Sequence, residues 1–220
     1  MLGSLGYWDD TRARSGPENM AVDAWLLDTA ACPVLRVYRW EDGWGSIGVF
    51  GSLAAARAAF ADGPRQWVRR MTGGGVVDHR RDWTYTLVIP RGAGAELTAS
   101  ASYQMIHAAV AAALTGAGEP VRMLDECGCG EAAACFAKPV AFDLVDAQGN
   151  KRAGAGQRRS RHGLMHQGSV LTGTAERKGL GAALAAALGE VVVPVSFDPA
   201  ADALAVRAEL YASEAWTRKR

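Results

Sequence analysis

The sequence has no long hydrophobic run, almost no excess charge of either sign and few cysteines. No stretch of its 220 residues approaches the roughly 20 consecutive apolar residues that cross a bilayer. The N-terminal segment carries Asp9 and Asp10 with no apolar run before them, which is unlike a secretory signal peptide. We therefore expect a cytoplasmic protein that does not bind membranes.

The charged residues are nearly balanced, with 24 Lys and Arg against 23 Asp and Glu. A net charge of +1 gives no overall electrostatic reason to bind nucleic acid. The four cysteines (Cys32, Cys127, Cys129 and Cys135) are few and unevenly spaced. Such spacing is unlike the disulfide framework of a small secreted domain, and it agrees with a cytoplasmic location.

The hydrophobic pattern predicts strands arranged in hairpins with helices packed on them. We see no internal repeat and no long linker, and we expect a single domain over 1–220. Predicted helices cover 19–29, 53–61, 100–113, 176–188 and 202–216. Predicted strands cover 34–40, 46–50, 67–70, 83–89, 141–146, 152–157 and 163–171, with 83–89 half-buried and a hairpin turn at 147–150. This pattern indicates an α+β fold with a mixed, mostly antiparallel sheet.

The stretch from Arg69 to His79 combines basic side chains with glycines: Arg-Arg-Met-Thr-Gly-Gly-Gly-Val-Val-Asp-His. Three consecutive glycines allow the backbone to approach a ligand closely and to turn its N–H groups inward. The two arginines can pair with a carboxylate or a phosphate. A triglycine alone is more typical of a flexible hairpin, but the imidazole and the strand after it make this combination more specific. We expect a ligand-binding loop.

Several segments together resemble one known family. Arg-Arg-x-Thr-Gly-Gly-Gly-x-Val-x-His followed by a Thr-Tyr-Thr strand is similar to the signature of the biotin/lipoate protein ligase and lipoyl(octanoyl)transferase catalytic-domain superfamily. The chain resembles most the cysteine-dependent octanoyltransferases and the lipoate–protein ligases of the A type. Further similar segments lie in the expected order at 18–23, 46–50, 149–157, 164–171 and 211–216. Gly51 departs from the family, which usually has Gln at that position.

The resemblance implies both a fold and a binding site. The fold is that of biotin ligases and class II aminoacyl-tRNA synthetase cores, in which a central mixed sheet is flanked by helices. In that fold the arginine–glycine loop lines a tunnel for an acyl chain and its activated head group. The substrate-binding residues implied by the resemblance are Arg70, Thr72, Gly73, Gly74, Gly75, His79, Gly154, Gln157, His166 and Gly168.

Lys151 follows the predicted hairpin turn and matches the lysine of the family's Gly-x-Lys-x-x-Gly-x-x-Gln segment. A lone lysine after a turn is usually a solvated surface residue. The match implies instead that Lys151 hydrogen-bonds an acyl carbonyl and stabilises the oxyanion that develops during acyl transfer.

Cys135 is the candidate nucleophile. It lies sixteen residues before Lys151, and this spacing resembles octanoyltransferases that carry the acyl group on cysteine. A thiol has a pKa of about 8.5 and needs a nearby cation to become a thiolate, which Lys151 could supply. Free cysteines are more often small buried apolar residues. Val140 and Ala141 also depart from the serine-containing pattern of octanoyltransferases.

The resemblance leaves two enzyme classes open. The first is an acyltransferase of lipoate biosynthesis, which moves octanoyl from an acyl carrier protein through a Cys135 thioester to a lysine of a lipoyl-domain or glycine-cleavage carrier protein. It would need no cofactor. The alternative is an ATP-dependent lipoate–protein ligase with a lipoyl-adenylate intermediate, using ATP and magnesium. Ligases that finish the reaction alone usually carry an accessory C-terminal domain, which we do not expect here, and this favours the transferase.

Two other possibilities concern binding without this chemistry. Cys127, Cys129 and Cys135 could hold zinc or an iron–sulfur cluster, but zinc sites more often use Cys-x-x-Cys pairs, and we expect no metal. Cys127 and Cys129 could equally be passive, or could pair with Cys135 under oxidation. A non-catalytic lipoyl-binding module is the remaining alternative, and the presence of Arg70, Lys151 and Cys135 together argues against it because binding alone needs no nucleophile.

Overall fold

The structure is a computed structural model that describes residues 1–125, 140–173 and 177–219. Its strands are β1 (Leu2–Arg14), β2 (Val34–Trp40), β3 (Trp44–Ile47), β4 (Gln66–Arg69), β5 (Val76–Asp78), β6 (Trp83–Pro90), β7 (Arg122–Met123), β8 (Leu144–Val145), β9 (Lys151–Arg159), β10 (Gly163–Val170) and β11 (Gly189–Pro194). Its helices are α1 (Gly16–Thr29), α2 (Leu53–Ala59), α3 (Ala99–Gly116), α4 (Leu180–Leu188), α5 (Ala201–Ala212) and α6 (Glu214–Thr217).

Eight strands form the main sheet, in the order β11-β1-β2-β6-β10-β9-β8-β7. Strand β1 pairs in parallel with β11 and β2, whereas every pair from β2 to β7 across the sheet is antiparallel. A second sheet has β3 in the centre, parallel to β4 and antiparallel to β5. The predicted α+β class with a mixed, mostly antiparallel sheet is confirmed.

Helices cover both faces of the main sheet. The largest core cluster joins one face of the sheet to α3 and α4, for example through Leu87, Ile106 and Leu184. On the other face α1 packs against Val88 of β6 and Met165 of β10, and α5 packs on α1. The prediction that 83–89 is half-buried is therefore wrong, because β6 is a central strand that is covered on both faces. Its side chains point alternately to the two faces of the sheet, and both faces are buried.

The start of α1 follows from local side-chain chemistry. Ser15 is the N-cap residue, and its hydroxyl accepts from the backbone N–H of Glu18. The Glu18 carboxylate accepts in turn from the backbone N–H of Ser15, at 3.0 Å, which completes a capping box. Pro17 lies in the first turn, where its missing N–H costs no helical hydrogen bond. The helix predicted over 19–29 is confirmed, and it begins three residues earlier, at Gly16.

A buried ionic network ties α1 to the sheet. The guanidinium of Arg36 on β2 donates to Asp10 at 2.8 Å and to Asp23 at 2.7 Å, and Asp10 also pairs with Arg14. Asn19 accepts from the same guanidinium at 2.8 Å. Because each buried charge has a partner, the network holds α1 in one position over β2 and β6 without leaving an uncompensated ion.

Several boundaries differ from the predictions. Strand β1 was not predicted, because Asp10 and Arg14 give it a polar pattern although both are buried in the network. Strands β5, β7 and β11 were also missed; β5 and β7 are very short, and β11 is an exposed edge strand. The predicted helix 202–216 is divided into α5 and α6 at Ser213, which leaves the helical conformation to cap α6. The predicted strand 141–146 is limited to β8, and the helix predicted to begin at 176 begins at Leu180.

No helix in the described part of the chain is both long and apolar enough to cross a bilayer.

Candidate active site

A cleft lies between the predicted glycine loop and strands β9 and β10. It encloses about 330 Å³ of space, which includes the solvent at its mouth. Apolar rings and small residues make up much of its wall, and a few polar side chains interrupt them. Its lining residues are Tyr38, Trp40, Arg70, Val77, His79, Thr84, Gly154, Ala155, Gly156, Gln167, Gly168 and Ser169.

The glycine loop is packed between two other glycine backbones. A Cβ atom at Gly48 would lie 2.0 Å from the carbonyl oxygen of Gly74, and one at Gly156 would lie 2.3 Å from the carbonyl oxygen of Gly73. Gly74 itself has φ +90°, in the left-handed region that side chains rarely occupy. The glycines outside the loop are therefore as necessary to its position as those within it.

The two consecutive arginines point to different places. Arg70 lines the cleft and donates to the carbonyl oxygens of Gly73 at 3.2 Å and Gly75 at 2.9 Å, and to the hydroxyl of Ser46. Arg69 instead donates to five backbone carbonyls, those of Gly48, Val49, Gly51, Trp216 and Thr217. Of the two arginines, only Arg70 lines this cleft, and the Arg69 side chain lies elsewhere.

Thr72 connects the loop to the core of the protein. Its hydroxyl donates to Gln167 Oε1 at 2.7 Å, and Gln167 Nε2 donates to Asp23 at 2.7 Å. Asp23 is held by Arg36, so a continuous chain of buried hydrogen bonds runs from α1 to the loop. Thr72 is thus placed as an anchor of the loop.

His79 belongs to a buried hydrogen-bonded group at one end of the cleft. Its Nδ1 hydrogen-bonds the Asp82 carboxylate at 2.8 Å, and its Nε2 hydrogen-bonds the hydroxyl of Ser46 at 2.6 Å. The Trp40 ring stacks on the imidazole with 3.8 Å between centroids. Because Arg70 also binds Ser46, this group holds the imidazole and the guanidinium in fixed positions on the cleft wall.

Lys151 is not a surface lysine. Its ammonium lies 2.7 Å from Asp143 Oδ2, and the two side chains are 2% and 0% exposed. A Cβ atom at Gly154 would lie 2.5 Å from Nζ, so the ammonium packs against Gly154. Gly154 lines the cleft, and Lys151 thus lies next to one of its wall residues.

Tyr103 and Val140 hold the Asp143 carboxylate. The Tyr103 hydroxyl donates to Asp143 Oδ1 at 2.8 Å and accepts from the backbone N–H of Ala155 at 2.9 Å. Burial, and then the charge of Asp143, raise the pKa of the Tyr103 hydroxyl above its ordinary value, so it stays a donor. The backbone N–H of Val140 donates to Asp143 Oδ2 at 2.7 Å, on the same oxygen that binds Lys151.

The turn before β8 brings Asp143 into this position. Phe142 has φ +68°, a left-handed conformation that is uncommon outside glycine. Its carbonyl oxygen accepts from His107 Nδ1 of α3 at 2.6 Å. Burial lowers the pKa of His107 to about 4, so the imidazole is neutral near pH 7. A strained residue retained beside a buried ion pair indicates a conformation that the site requires.

Gln157 and His166 lie on the opposite face of the sheet from the cleft. Gln157 Nε2 donates to His166 Nδ1 at 3.0 Å, and His166 Nε2 hydrogen-bonds the Tyr85 hydroxyl at 3.1 Å. Burial lowers the pKa of His166 well below its ordinary value. Neither side chain lines the cleft, so the structure separates these two predicted substrate contacts from the rest. Gly168 does line it, and a Cβ atom there would overlap the Tyr85 ring.

Cys135, Cys127 and Cys129 lie outside the described residues. Among the described residues no cluster of three or more His, Cys, Asp or Glu side chains is arranged to hold a metal ion. Val140, five residues after Cys135, is hydrogen-bonded to Asp143, so the described chain resumes beside the Lys151 pair.

Comparison with known sequences identifies the family of this chain. Residues 15–193 match the family model of the lipoyl protein ligase A/B catalytic domain. The chain belongs to this family. Octanoyltransferase LipM of Symbiobacterium thermophilum is 34% identical over 180 residues, which cover 74% of this chain and 63% of that protein. LipM of Kyrpidia tusciae is 32% identical over 168 residues, covering 70% and 61%. The resemblance inferred from the motifs is confirmed.

Solved structures of lipoate protein ligases share the fold. Lipoate-protein ligase A bound with ATP has a TM-score of 0.71 at 19% identity, with 99% of each chain covered. A bipartite archaeal lipoate protein ligase from Thermoplasma acidophilum, studied with its E2 lipoyl domain, has a TM-score of 0.68 at 17% identity, covering 99% of this chain and 96% of that one. The chain spans less than two thirds of the length of the two LipM relatives. The prediction of a single domain stays a prediction.

Several residues at or beside the cleft were not predicted to have a role. Asp143, Tyr103, Gln167 and Trp40 contact the cleft or hold its members in place. A signal existed for Asp143: it precedes the predicted hairpin turn and Lys151 follows it, so opposite charges flank a turn that brings the two strands together. Tyr103 lies on a helix distant in sequence, and only the packing of α3 on the sheet reveals its role.

The glycine loop allows a matched pair of substitutions. We expect Gly74→Ala to lower the free energy of unfolding by about 1–2 kcal/mol, because alanine is strained at positive φ. Gly73→Ala adds a methyl group to open space and should fold normally. Chemical denaturation of both variants tests this. Equal effects at the two positions would contradict a specific requirement at Gly74.

Proposed function

We propose that this chain is an octanoyltransferase of protein lipoylation, which moves an octanoyl group from a carrier-protein thioester to a lysine of an acceptor protein. The observation that carries the proposal is the buried Lys151–Asp143 pair beside Gly154 on the wall of the cleft. A buried ammonium beside a narrow, partly apolar cleft suits a developing oxyanion at the head of an acyl chain. The name of the LipM relatives, octanoyltransferase, supports the same reaction.

In the first half-reaction the thiolate of Cys135 attacks the thioester carbonyl of the donor. A new carbon–sulfur bond forms to Cys135, the bond to the carrier sulfur breaks, and the carrier leaves as a thiol after taking up a proton. In the second, the neutral ε-amine of the acceptor lysine attacks the Cys135 thioester. An amide forms, and Cys135 is released as a thiol. Exchange between thioesters is nearly isoenergetic and amide formation is downhill, so we propose that neither ATP nor a metal is needed.

The Lys151 ammonium would stabilise the oxyanion in both half-reactions. Asp143 compensates the charge of the buried ammonium, and Tyr103 and the Val140 N–H restrict the position of the carboxylate. Fixed donors aimed at a developing charge need little reorganisation during the reaction, which is the physical basis of their effect. Asp143 and Tyr103 are therefore proposed as positioning residues for Lys151.

The glycine loop and the end of the cleft would hold the acyl chain. Arg70 fixes the carbonyls of Gly73 and Gly75, and Thr72 anchors the loop to Gln167. Trp40, stacked on His79, supplies a flat apolar wall. We propose that the chain lies between this wall and Gly154 to Gly156, with its carbonyl near Lys151. Gln157 and His166 would support β9 and β10 from the opposite face.

The acceptor proposed is a lipoyl-domain protein or a glycine-cleavage carrier protein. One structural neighbour of the family was studied with its E2 lipoyl domain, which supports an acceptor of that kind.

Intact-protein mass spectrometry tests the proposed function. The chain is incubated in one arm with octanoyl-carrier protein and in the other with octanoate, ATP and magnesium. We expect one octanoyl adduct in the first arm only, removable by hydroxylamine and transferred to an added lipoyl domain. Transfer to the lipoyl domain in the second arm only would instead establish an ATP-dependent ligase. Octanoyl that remains bound without covalent attachment in either arm would indicate a non-catalytic binding module.

A further inference from the structure

A second cleft, lined by cationic side chains, lies on the outer side of the loop that follows β3. It spans about 720 Å³ and is open to solvent. Its charged lining residues are Arg57, Arg69, Arg218 and Lys219, and no acidic residue lines it. None of these side chains lines the acyl cleft.

The positive charge in this cleft is only partly compensated. Arg69 donates to backbone carbonyls, and among the described residues no carboxylate pairs with it, with Arg57 or with Lys219. Arg218 pairs with Glu214 at 3.0 Å, but both side chains are largely exposed, where such a pair is worth little. The cleft therefore attracts anionic groups, although the chain as a whole has a net charge of only +1.

An apolar surface borders the cationic cleft. The Phe50 ring, one residue before Gly51 of the cleft, is 93% exposed. Helix α2 presents the methyl groups of Ala54, Ala55, Ala58 and Ala59 to solvent. Aromatic and arginine side chains together are characteristic of protein interfaces, whereas a small free anion would make no use of an exposed aromatic ring. The combination indicates a protein partner with an acidic surface.

The cationic cleft and the acyl cleft share a wall. The backbone N–H of Val49 donates to the carbonyl of Thr72 at 2.8 Å, and Gly48 packs against Gly74 of the glycine loop. Arg69 in turn binds the carbonyls of Gly48 and Gly51, from the side of the cationic cleft. A molecule bound outside this wall lies next to the loop that covers the acyl site.

We propose that the surface formed by Phe50, Arg57, Arg218 and Lys219 docks the acyl-carrier protein that donates the octanoyl group. Such a carrier presents its thioester on an arm attached through a phosphodiester, beside acidic side chains. The cationic cleft would bind that phosphate and those carboxylates, and Phe50 and α2 would contact the apolar part of the carrier. The inference rests on the proposed function, and it adds where on this chain the carrier protein that donates the octanoyl group binds.

The test uses paired substitutions of residues that have no contact with the acyl cleft. Arg57→Glu combined with Lys219→Glu reverses two charges, Arg57→Gln combined with Lys219→Gln removes them, and Arg161→Glu reverses an exposed charge in the turn between β9 and β10. KM and kcat are measured with octanoyl-carrier protein, with octanoyl-coenzyme A and with octanoyl-N-acetylcysteamine, which has neither protein nor phosphate. KM for the acceptor domain is measured with octanoyl-carrier protein as the donor.

For the carrier donor, we expect the charge reversal to raise KM by about ten-fold or more and the charge removal to raise it less. Arg161→Glu should leave KM nearly unchanged, and no variant should alter kcat/KM for octanoyl-N-acetylcysteamine. The difference in KM for the carrier between the charge-reversal variant and the unmodified chain should decrease as the salt concentration is raised. An unchanged KM for the carrier overturns the proposal. If the charge reversal raises KM equally for octanoyl-coenzyme A, the surface binds only the phosphate and not the carrier protein. If it raises KM for the acceptor domain alone, the surface binds the acceptor and not the donor.

Failure of the proposed function itself has a different signature. If the unmodified chain transfers octanoyl from none of the three donors, the proposed function is wrong. The docking surface is then decided by fluorescence anisotropy of labelled carrier protein. Weaker binding by Arg57→Glu with Lys219→Glu, but not by Arg161→Glu, supports it, and equal binding by all three proteins overturns it.

Discussion

Replacing Cys135 by serine is expected to reduce octanoyl transfer by about 10⁴-fold or more. A serine hydroxyl lacks the thiolate character that makes cysteine nucleophilic near neutral pH, and loss of a covalent nucleophile is among the most damaging changes an active site can undergo. In the proposed reaction every turnover passes through the Cys135 thioester. Single-turnover kinetics with octanoyl-carrier protein measures the rate, and intact mass shows whether any adduct remains.

The other cysteines provide matched controls for this experiment. Cys127→Ser and Cys129→Ser change residues of the same segment, and Cys32→Ser removes an exposed thiol elsewhere. All three should keep most of their activity. Full activity of Cys135→Ser would rule out the covalent mechanism and favour direct attack or an adenylate route. Loss of activity in Cys127→Ser and Cys129→Ser together with Cys135→Ser would indicate a shared structural role, such as a metal site.

Replacing Lys151 is expected to slow acylation of Cys135 by about 10²–10³-fold, the usual effect of removing one oxyanion-stabilising donor. The structure adds a cost to folding. Because Asp143 is fully buried, Lys151→Met leaves its carboxylate uncompensated and should lower the free energy of unfolding by about 3–5 kcal/mol. Lys151→Arg should also be slow, since the planar guanidinium does not fit between Asp143 and the backbone of Gly154.

A double variant separates the effect on folding from the effect on chemistry. Lys151→Met combined with Asp143→Asn removes both charges, and replacing a buried ion pair by neutral groups is often nearly neutral for stability. We expect the double variant to regain most of its stability but not its acylation rate. If activity returns together with stability, Lys151 is a structural residue only. Tyr103→Phe, which removes one hydrogen bond to Asp143, should lower the rate less than either charge substitution.

Local motifs allowed much of the site to be predicted before its geometry was known. The triglycine loop, Arg70 and Lys151 were identified from residue type, spacing and family resemblance. In the structure Arg70 lines the cleft and binds the loop carbonyls, and Lys151 packs against Gly154 of the cleft wall. The motif contains two arginines, and its composition does not reveal that only Arg70 lines the cleft.

The elements most difficult to predict were those with charged residues that are buried in ion pairs. Asp10 and Arg14 give β1 the pattern of an exposed segment, yet both are buried. Asp10 pairs with Arg14 and with Arg36, so the buried charges are compensated. The partner of an ion pair separated by 26 residues, as Arg36 and Asp10 are, cannot be found from periodicity. Strand β6 was predicted as a strand, but the alternation of its residue types predicted one solvated face. In the structure both faces of β6 are buried.

By itself the sequence determined the family, the α+β class, most of the helices and strands, and the chemical groups available to the site. These depend on short-range patterns: side-chain periodicity, turn residues and motif spacing. Only the tertiary structure decided that Lys151 is a buried ion pair with Asp143, that Gln157 and His166 lie behind the sheet, and that a cationic cleft adjoins the glycine loop. These features arise from contacts between segments far apart in the chain, where side-chain direction and burial depend on how the sheet is assembled.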